Sequence, residues 1–147
     1  LVICGAPAYM KGPAHMEKLQ RLARALRDVR VHFAGHVTGA RKAAIWRVAG
    51  VYAFPSRHES YGLTLGEALA EGVAAVAFER GGGGEILAGG AGVVVEPGRG
   101  AAERFARETV GLLLDRPRAE RLGERGRHWA EQHPFAGAAA AIAGLAG

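Results

Sequence analysis

Residues 55–72 read PSRHESYGLTLGEALAEG, and they predict the passage from a buried strand through a loop into a helix. Pro55 ends the apolar run Val51–Phe54, which is typical of a short strand. Gly62 permits a tight turn, and residues 63–71 are good helix formers. The start of such a helix offers backbone N–H groups and a partial positive charge, which suit an anion such as a phosphate.

Two carboxylates flank this turn, Glu59 in the predicted loop and Glu67 about one turn into the predicted helix. A carboxylate repels a phosphate, so hydroxyl groups are its better partners. A sugar nucleotide carries both phosphates and hydroxyls, and the segment is therefore interpreted as a sugar-nucleotide site. The alternative is that Glu67 is a surface glutamate favoured by the helix dipole and Glu59 a solvated loop acid.

Apolar strand-like runs alternate with helical stretches along the whole chain of 147 residues. This alternation predicts an α/β fold, a Rossmann-like parallel sheet with helices on both faces and ligands beyond the carboxyl ends of its strands. We expect one such domain over residues 1–136, followed by an Ala- and Gly-rich tail at 137–147. The predicted strands are residues 1–4, 31–34, 51–54, 74–78 and 92–95, and the predicted helices are residues 17–28, 41–48, 63–71, 85–87, 101–114 and 117–132.

The composition narrows the possible partners. The net charge of +5 suggests nucleic-acid binding. The arginines, however, mix with acidic residues on predicted helices, without interleaved aromatic residues. Solvated helix faces explain them better, and we expect no nucleic-acid partner. The six histidines show no metal-binding spacing, and we expect no metal. The single cysteine, Cys4, excludes an internal disulfide and is predicted to be buried.

The chain shows neither a signal peptide nor a membrane span, because no apolar run approaches the roughly 20 residues that a spanning helix needs. A cytoplasmic protein is expected, with peripheral membrane contact left open. The first residues are already strand-like and no initiator Met precedes them. We therefore expect a piece of a longer protein.

Residues 55–72 resemble the signature of the family 4 (group 1) glycosyltransferases with the GT-B fold of two Rossmann domains. That signature has Pro-Ser, a first Glu, an aromatic residue followed by Gly-Leu, and a second Glu. The resemblance extends in order to residues 1–5, 31–37, 82–86 and 92–95. It implies that the chain is the C-terminal, donor-binding domain, without its first βα unit and without the acceptor-binding N-terminal Rossmann domain.

The implied activity is that of a retaining, hexosyltransferase-like enzyme of carbohydrate biosynthesis. Such an enzyme moves a sugar from a nucleoside diphosphate sugar to an acceptor hydroxyl and needs no cofactor beyond the donor itself. The family holds the donor diphosphate with an Arg and a Lys that have no counterpart at matching positions here. We therefore expect no catalysis by this chain alone.

The resemblance also assigns roles to individual residues. Glu59 would contact the transferred sugar and support charge at its anomeric centre, and Glu67 would accept hydrogen bonds from the ribose hydroxyls. Backbone groups and one further acid would contribute the remaining contacts: Gly62, Leu63 and Thr64 to phosphate and sugar oxygens, Gly83, Gly84 and Glu85 to the donor sugar, and Gly35 and Val37 to the base. Simple helix initiation, a flexible glycine loop and a common strand-glycine loop are the respective alternatives.

Three other functions stay open. The first is a Rossmann-type module that binds a nucleotide or a partner without turnover. The second is a basic nucleic-acid-binding or structural domain, whose polyanion binding would depend on salt. The third is a relative that hydrolyses or epimerises nucleotide sugars. The sequence leaves the base, the sugar and the acceptor undetermined.

Overall fold

The computed structural model of the protein describes residues 1–7, 12–56, 62–79 and 82–133. Strands and helices alternate, and all strand pairs are parallel, which confirms the predicted α/β class. The predicted boundary at residue 136 and the tail lie outside the described residues and stay predictions. The elements are β1 (Val2–Cys4), α1 (Gly12–Ala25), β2 (His32–Gly35), α2 (Gly39–Val48), β3 (Val51–Phe54), α3 (Leu63–Ala70), β4 (Ala74–Phe78), α4 (Gly82–Leu87), β5 (Gly92–Val95), α5 (Ala101–Leu114) and α6 (Arg116–Gln132).

Hydrogen bonding divides the strands between two sheets. β1 pairs with β2, and β4 lies between β3 and β5 in a separate three-stranded sheet. The chain likewise forms two compact units, the first spanning Leu1–Ile45 and the second beginning at Trp46. The pattern of apolar runs predicted the strands but not this division, because strand pairing depends on contacts that are distant in sequence.

The first unit has a small interior. Among its described residues only Ala34 is buried. Cys4 is exposed, so its predicted burial is wrong. The reason is that β1 has a neighbour on one side only within its two-stranded sheet. Helix α1 begins earlier than predicted, at Gly12, because Pro13 follows at a position where a helix tolerates proline well.

The core of the second unit lies on both faces of its sheet. β4 is central, and residues 74–77 are buried. Side chains of a strand alternate between faces, so Tyr52 and Phe54 pack with α3 and α4, whereas Val51 and Ala53 pack with α5. The predicted bounds of β3, β4, β5 and α5 are confirmed.

Helix α6 packs closely against the end of α3. A Cβ atom on Gly123 would collide with the carbonyl oxygen of Gly72, and one on Gly126 would lie 2.8 Å from Cδ2 of Leu69. The Arg127 guanidinium donates a hydrogen bond of 3.1 Å to the carbonyl oxygen of Glu71. A cation at the carboxyl end of a helix is favoured by the helix dipole, so α6 stabilises α3 at that end.

Candidate functional site

The start of α3 is built on a left-handed glycine. Gly62 is the N-cap residue, with φ 62° and ψ 36°, and as a glycine it makes no side-chain capping hydrogen bond. Its carbonyl oxygen accepts hydrogen bonds from the N–H groups of Leu65 and Gly66, at 2.8 and 3.0 Å. The N–H groups of Leu63 and Thr64 belong to the first turn, where a helix provides no internal acceptors. This arrangement leaves the start of α3 suited to an anionic or hydroxyl-bearing ligand.

Glu67 lies one turn into α3 and is half-buried. Its Oε2 atom is buried, and the neighbouring Leu65 and Ala68 are completely buried. A solvated surface glutamate would expose its carboxylate, so this feature favours the binding interpretation of Glu67 over the alternative. The other acid of the signature, Glu59, lies outside the described residues, and its role stays a prediction.

Gly82, Gly83 and Gly84 form the first turn of α4. Gly83 and Gly84 are buried there, whereas Glu85 is exposed. A Cβ atom on Gly83 would lie 3.1 Å from the ring of Phe54, and one on Gly84 would collide with the backbone of Glu79. Gly83 and Gly84 are therefore helical and closely packed, which differs from the flexible-loop alternative for these two residues.

The second unit brings most of the predicted site residues to the carboxyl ends of its strands. The starts of α3 and α4 follow β3 and β4, and parallel α/β proteins bind ligands beyond such strand ends. Gly35 and Val37 belong to the first unit, at the end of β2. Gly35 has φ 68° there, and its carbonyl oxygen accepts a hydrogen bond of 2.8 Å from the N–H of Gly5.

Sequence reasoning missed an aromatic cluster beside α3. The rings of Trp46 and Tyr52 meet edge to face, with centroids 4.9 Å apart, and Tyr52 lies 5.8 Å from Phe54. The Tyr52 hydroxyl donates a hydrogen bond of 2.9 Å to Oγ1 of Thr64. The available signal was the alternation of β3, which places Tyr52 and Phe54 on one face directly before the signature.

The described part of the chain bears on metal binding and on membrane crossing. In residues 1–7, 12–56, 62–79 and 82–133, no three His, Cys, Asp or Glu side chains are grouped so that they could hold a metal ion. Within the same ranges, no helix has the length and apolar character that crossing a membrane requires.

The family of the chain follows from its sequence. Residues 1–129 match the family described as glycosyl transferases group 1. The chain belongs to this family. A curated relative of this group 1 chain is the D-inositol 3-phosphate glycosyltransferase of Streptomyces bingchenggensis (strain BCW-1), which is 36% identical over 143 residues. That match covers 96% of the chain and 31% of the relative, so the chain spans about a third of the relative's length.

Solved structures have a similar fold. Sucrose-phosphate synthase from Thermosynechococcus elongatus is 28% identical to this group 1 chain and superposes with a TM-score of 0.77, over 90% of this chain and 33% of that one. HepE from Anabaena, solved in complex with UDP-glucose, is 21% identical, with a TM-score of 0.73 over 89% of this chain and 35% of that one. The fold is therefore that of GT-B glycosyltransferase structures.

Proposed function

We propose that this chain is the donor-binding domain of a retaining, hexosyltransferase-like enzyme of glycosyltransferase family 4. The enzyme would transfer a sugar from a nucleoside diphosphate sugar to an acceptor hydroxyl. The proposal includes an acceptor-binding Rossmann domain elsewhere in a longer protein, because the chain spans about a third of its curated relative. It also includes a cytoplasmic location and a role in carbohydrate biosynthesis.

One observation carries this proposal: a helix start with a glycine N-cap and a half-buried glutamate lie on the same short helix. The start of α3, at Gly62 and Leu63, supplies N–H donors and a positive dipole end. Glu67 supplies a carboxylate, which accepts hydrogen bonds from hydroxyl groups. A nucleoside diphosphate carries negative oxygens and ribose hydroxyls within one molecule, so it matches both features together.

The proposed chemistry follows from this placement. As the bond between sugar and diphosphate breaks, negative charge accumulates on the departing diphosphate. The start of α3 would stabilise that charge because its donors are already oriented before the reaction. Glu67 would hold the ribose, and Glu59 with Glu85 would orient the sugar. Closure against the acceptor domain would exclude water and bring the acceptor hydroxyl into reach.

Calorimetric titration with UDP, GDP and ADP tests the donor role, and UDP is the first choice because HepE was solved with UDP-glucose. We expect saturable binding of one nucleotide by the full-length protein. The Glu67→Gln variant should weaken that binding at least about tenfold, since a hydrogen bond to a charged group contributes roughly 1.5–3 kcal/mol.

The matched control is Glu71→Gln, which makes the same change at the other end of α3. Glu71 is exposed, and its backbone carbonyl rather than its side chain accepts the bond from Arg127. The control should bind the nucleotide as the unaltered protein does. Equal affinity in both variants, or no saturable binding by a folded sample, would contradict the proposed donor site.

A second candidate is a nucleotide-binding module without turnover. It is favoured by the same geometry, because the start of α3 and the Glu67 carboxylate supply binding contacts that do not require turnover. Both candidates predict nucleotide binding, so product analysis of the full-length protein separates them. Sugar transfer with retained anomeric configuration, as observed by NMR of the product, supports the enzyme hypothesis. Binding without transfer to any acceptor tested, together with no hydrolysis of the donor, supports the module.

A further inference from the structure

Strand β3 touches the first turns of both helices at the candidate site through one face. Tyr52 and Phe54 point to that face, since side chains two residues apart in a strand do so. Tyr52 reaches the first turn of α3 through its hydroxyl, and Phe54 lies against Gly83 in the first turn of α4. The geometry of both helix starts therefore depends on two neighbouring aromatic side chains of β3.

The Tyr52 ring is held in a defined orientation. Trp46 meets it edge to face at an interplanar angle of 84°, an arrangement that aromatic rings favour. Phe54, which is only 7% exposed, flanks it on the strand. The Tyr52 hydroxyl then donates to Oγ1 of Thr64 at 2.9 Å. Thr64 is itself exposed on α3, so a ligand can reach its hydroxyl although one lone pair of Oγ1 accepts the bond from Tyr52.

This hydrogen bond determines what the Thr64 hydroxyl can offer. A hydroxyl has one proton to donate and two lone pairs that accept. Because Tyr52 donates to Thr64, the Thr64 proton is free to point elsewhere, and donation into its oxygen strengthens it as a donor. A phosphate oxygen at the start of α3 can accept a hydrogen bond from the Thr64 hydroxyl, whereas a cation has no lone pair to accept one.

We propose that Tyr52 is a positioning residue for the donor nucleotide, which orients the Thr64 hydroxyl as a hydrogen-bond donor to a phosphate oxygen. This inference rests on the proposed nucleotide-binding function of the same site. It adds two side-chain groups, the Tyr52 phenol and the Thr64 hydroxyl, to the backbone N–H groups of the helix start. Tyr52 acts through Thr64 and does not touch the ligand.

The test compares a nucleoside diphosphate with its own nucleoside in calorimetric titrations of the full-length protein. The pairs are UDP with uridine, GDP with guanosine and ADP with adenosine, and the pair that binds the unaltered protein is used. Tyr52→Phe keeps the ring and removes the hydroxyl. It should weaken diphosphate binding about five- to tenfold, because a Thr64 hydroxyl without its Tyr52 partner loses part of its bond to the charged phosphate oxygen, and leave nucleoside binding unchanged.

Thr64 variants complete a double-mutant cycle. Thr64→Val should weaken diphosphate binding at least as much as Tyr52→Phe. The double variant should bind the diphosphate no more weakly than Thr64→Val, because both substitutions act on the same hydrogen bond to the phosphate. Thr64→Ser should restore most of the affinity. The matched control is Thr109→Val, since the Thr109 hydroxyl bonds to the carbonyl oxygen of Phe105 in its own helix α5, and it should bind normally.

The outcomes distinguish failure of this inference from failure of the proposed nucleotide-binding function. Diphosphate binding that Tyr52→Phe leaves unchanged overturns the inference and leaves the proposed function standing. An equal loss for diphosphate and nucleoside overturns it as well, because that result means a general disturbance of the fold. No binding of any of the six compounds by the folded unaltered protein overturns the proposed function and the inference together.

Discussion

At the scale of single residues, Gly84 shows why a glycine is required in the first turn of α4. The Cα of Gly84 lies so near the end of β4 that an added Cβ would stand 2.6 Å from the carbonyl carbon of Glu79. Real side chains do not come this close to backbone atoms, so α4 or the end of β4 would have to move. Gly84 therefore fixes the distance between the start of α4 and the sheet.

We expect Gly84→Ala to lower the free energy of unfolding by about 1–3 kcal/mol, the usual effect of forcing an extra methyl into a packed site. Thermal unfolding followed by circular dichroism measures it. Gly89→Ala is the matched control, because nothing lies within 4 Å of a Cβ at Gly89. That variant should be as stable as the parent or slightly more stable, by up to ~1 kcal/mol, through a less flexible unfolded chain. Similar melting temperatures for the two variants would contradict the close contact at Gly84.

At the scale of elements, two glycines let α6 approach the end of α3. Gly123 faces the carbonyl oxygen of Gly72, and the neighbouring Arg127 donates to the carbonyl oxygen of Glu71. Helix α6 therefore holds the carboxyl end of the helix whose amino end is the candidate phosphate site. The position of the site depends on this packing although α6 supplies no predicted ligand contact.

Gly123→Ala tests the close packing of α6 on α3. Alanine stabilises a helix interior by about 1 kcal/mol relative to glycine, but its methyl would collide with Gly72 here. We expect a net loss of stability of roughly 1–3 kcal/mol in urea unfolding. Gly111→Ala in α5, where a Cβ meets nothing within 4 Å, should show the unopposed gain. Stabilisation by both substitutions would mean that α6 does not pack closely on α3.

Elements of the second unit were predictable from sequence because local signals suffice there. Pro55 ends β3, a glycine precedes α3, and continuous apolar runs mark β4 and β5. The start of α1 was predicted too late because the apolar face that indicates the helix begins only at Leu19, whereas α1 itself begins at Gly12. The bond between Tyr52 and Thr64 had no signal at all, since it depends on how far β3 and α3 approach each other.

At the scale of the whole molecule, burial is distributed unevenly between the two units. The second unit contains the buried clusters on both faces of its sheet, whereas Ala34 is the one buried residue that the structure describes in the first. Burial of this kind governs how often backbone hydrogen bonds open to solvent. The two units should therefore differ in local stability.

Hydrogen exchange followed by mass spectrometry measures this difference on the chain. Peptides covering β4 should exchange at least roughly tenfold more slowly than peptides covering β1, because opening β4 requires unfolding of the buried core. The peptide that covers α6 provides an internal reference for a helix packed on the same core. Equal protection of β1 and β4 would show that the first unit is more stable than its burial indicates.

The candidate site was predictable to a similar, limited extent. The signature placed Gly62, Leu63, Thr64 and Glu67 on one strand-to-helix passage, and the structure has them there. The division into two sheets was not predictable, nor was the exposure of Cys4. Both depend on which strands pair with one another. Sequence patterns give the order of strands along the chain, whereas their order within a sheet is a long-range property.

The edge-to-face contact between Trp46 and Tyr52 gives the molecule an optical reporter of its own. The chain has two tryptophans, and the second, Trp129, is stacked on His133 with ring centroids 4.4 Å apart. In a Trp129→Phe background, all indole emission comes from the ring beside the tyrosine that reaches the start of α3. Occupancy of the proposed nucleotide site should then change the ultraviolet emission of Trp46, without a dye and without a modified nucleotide.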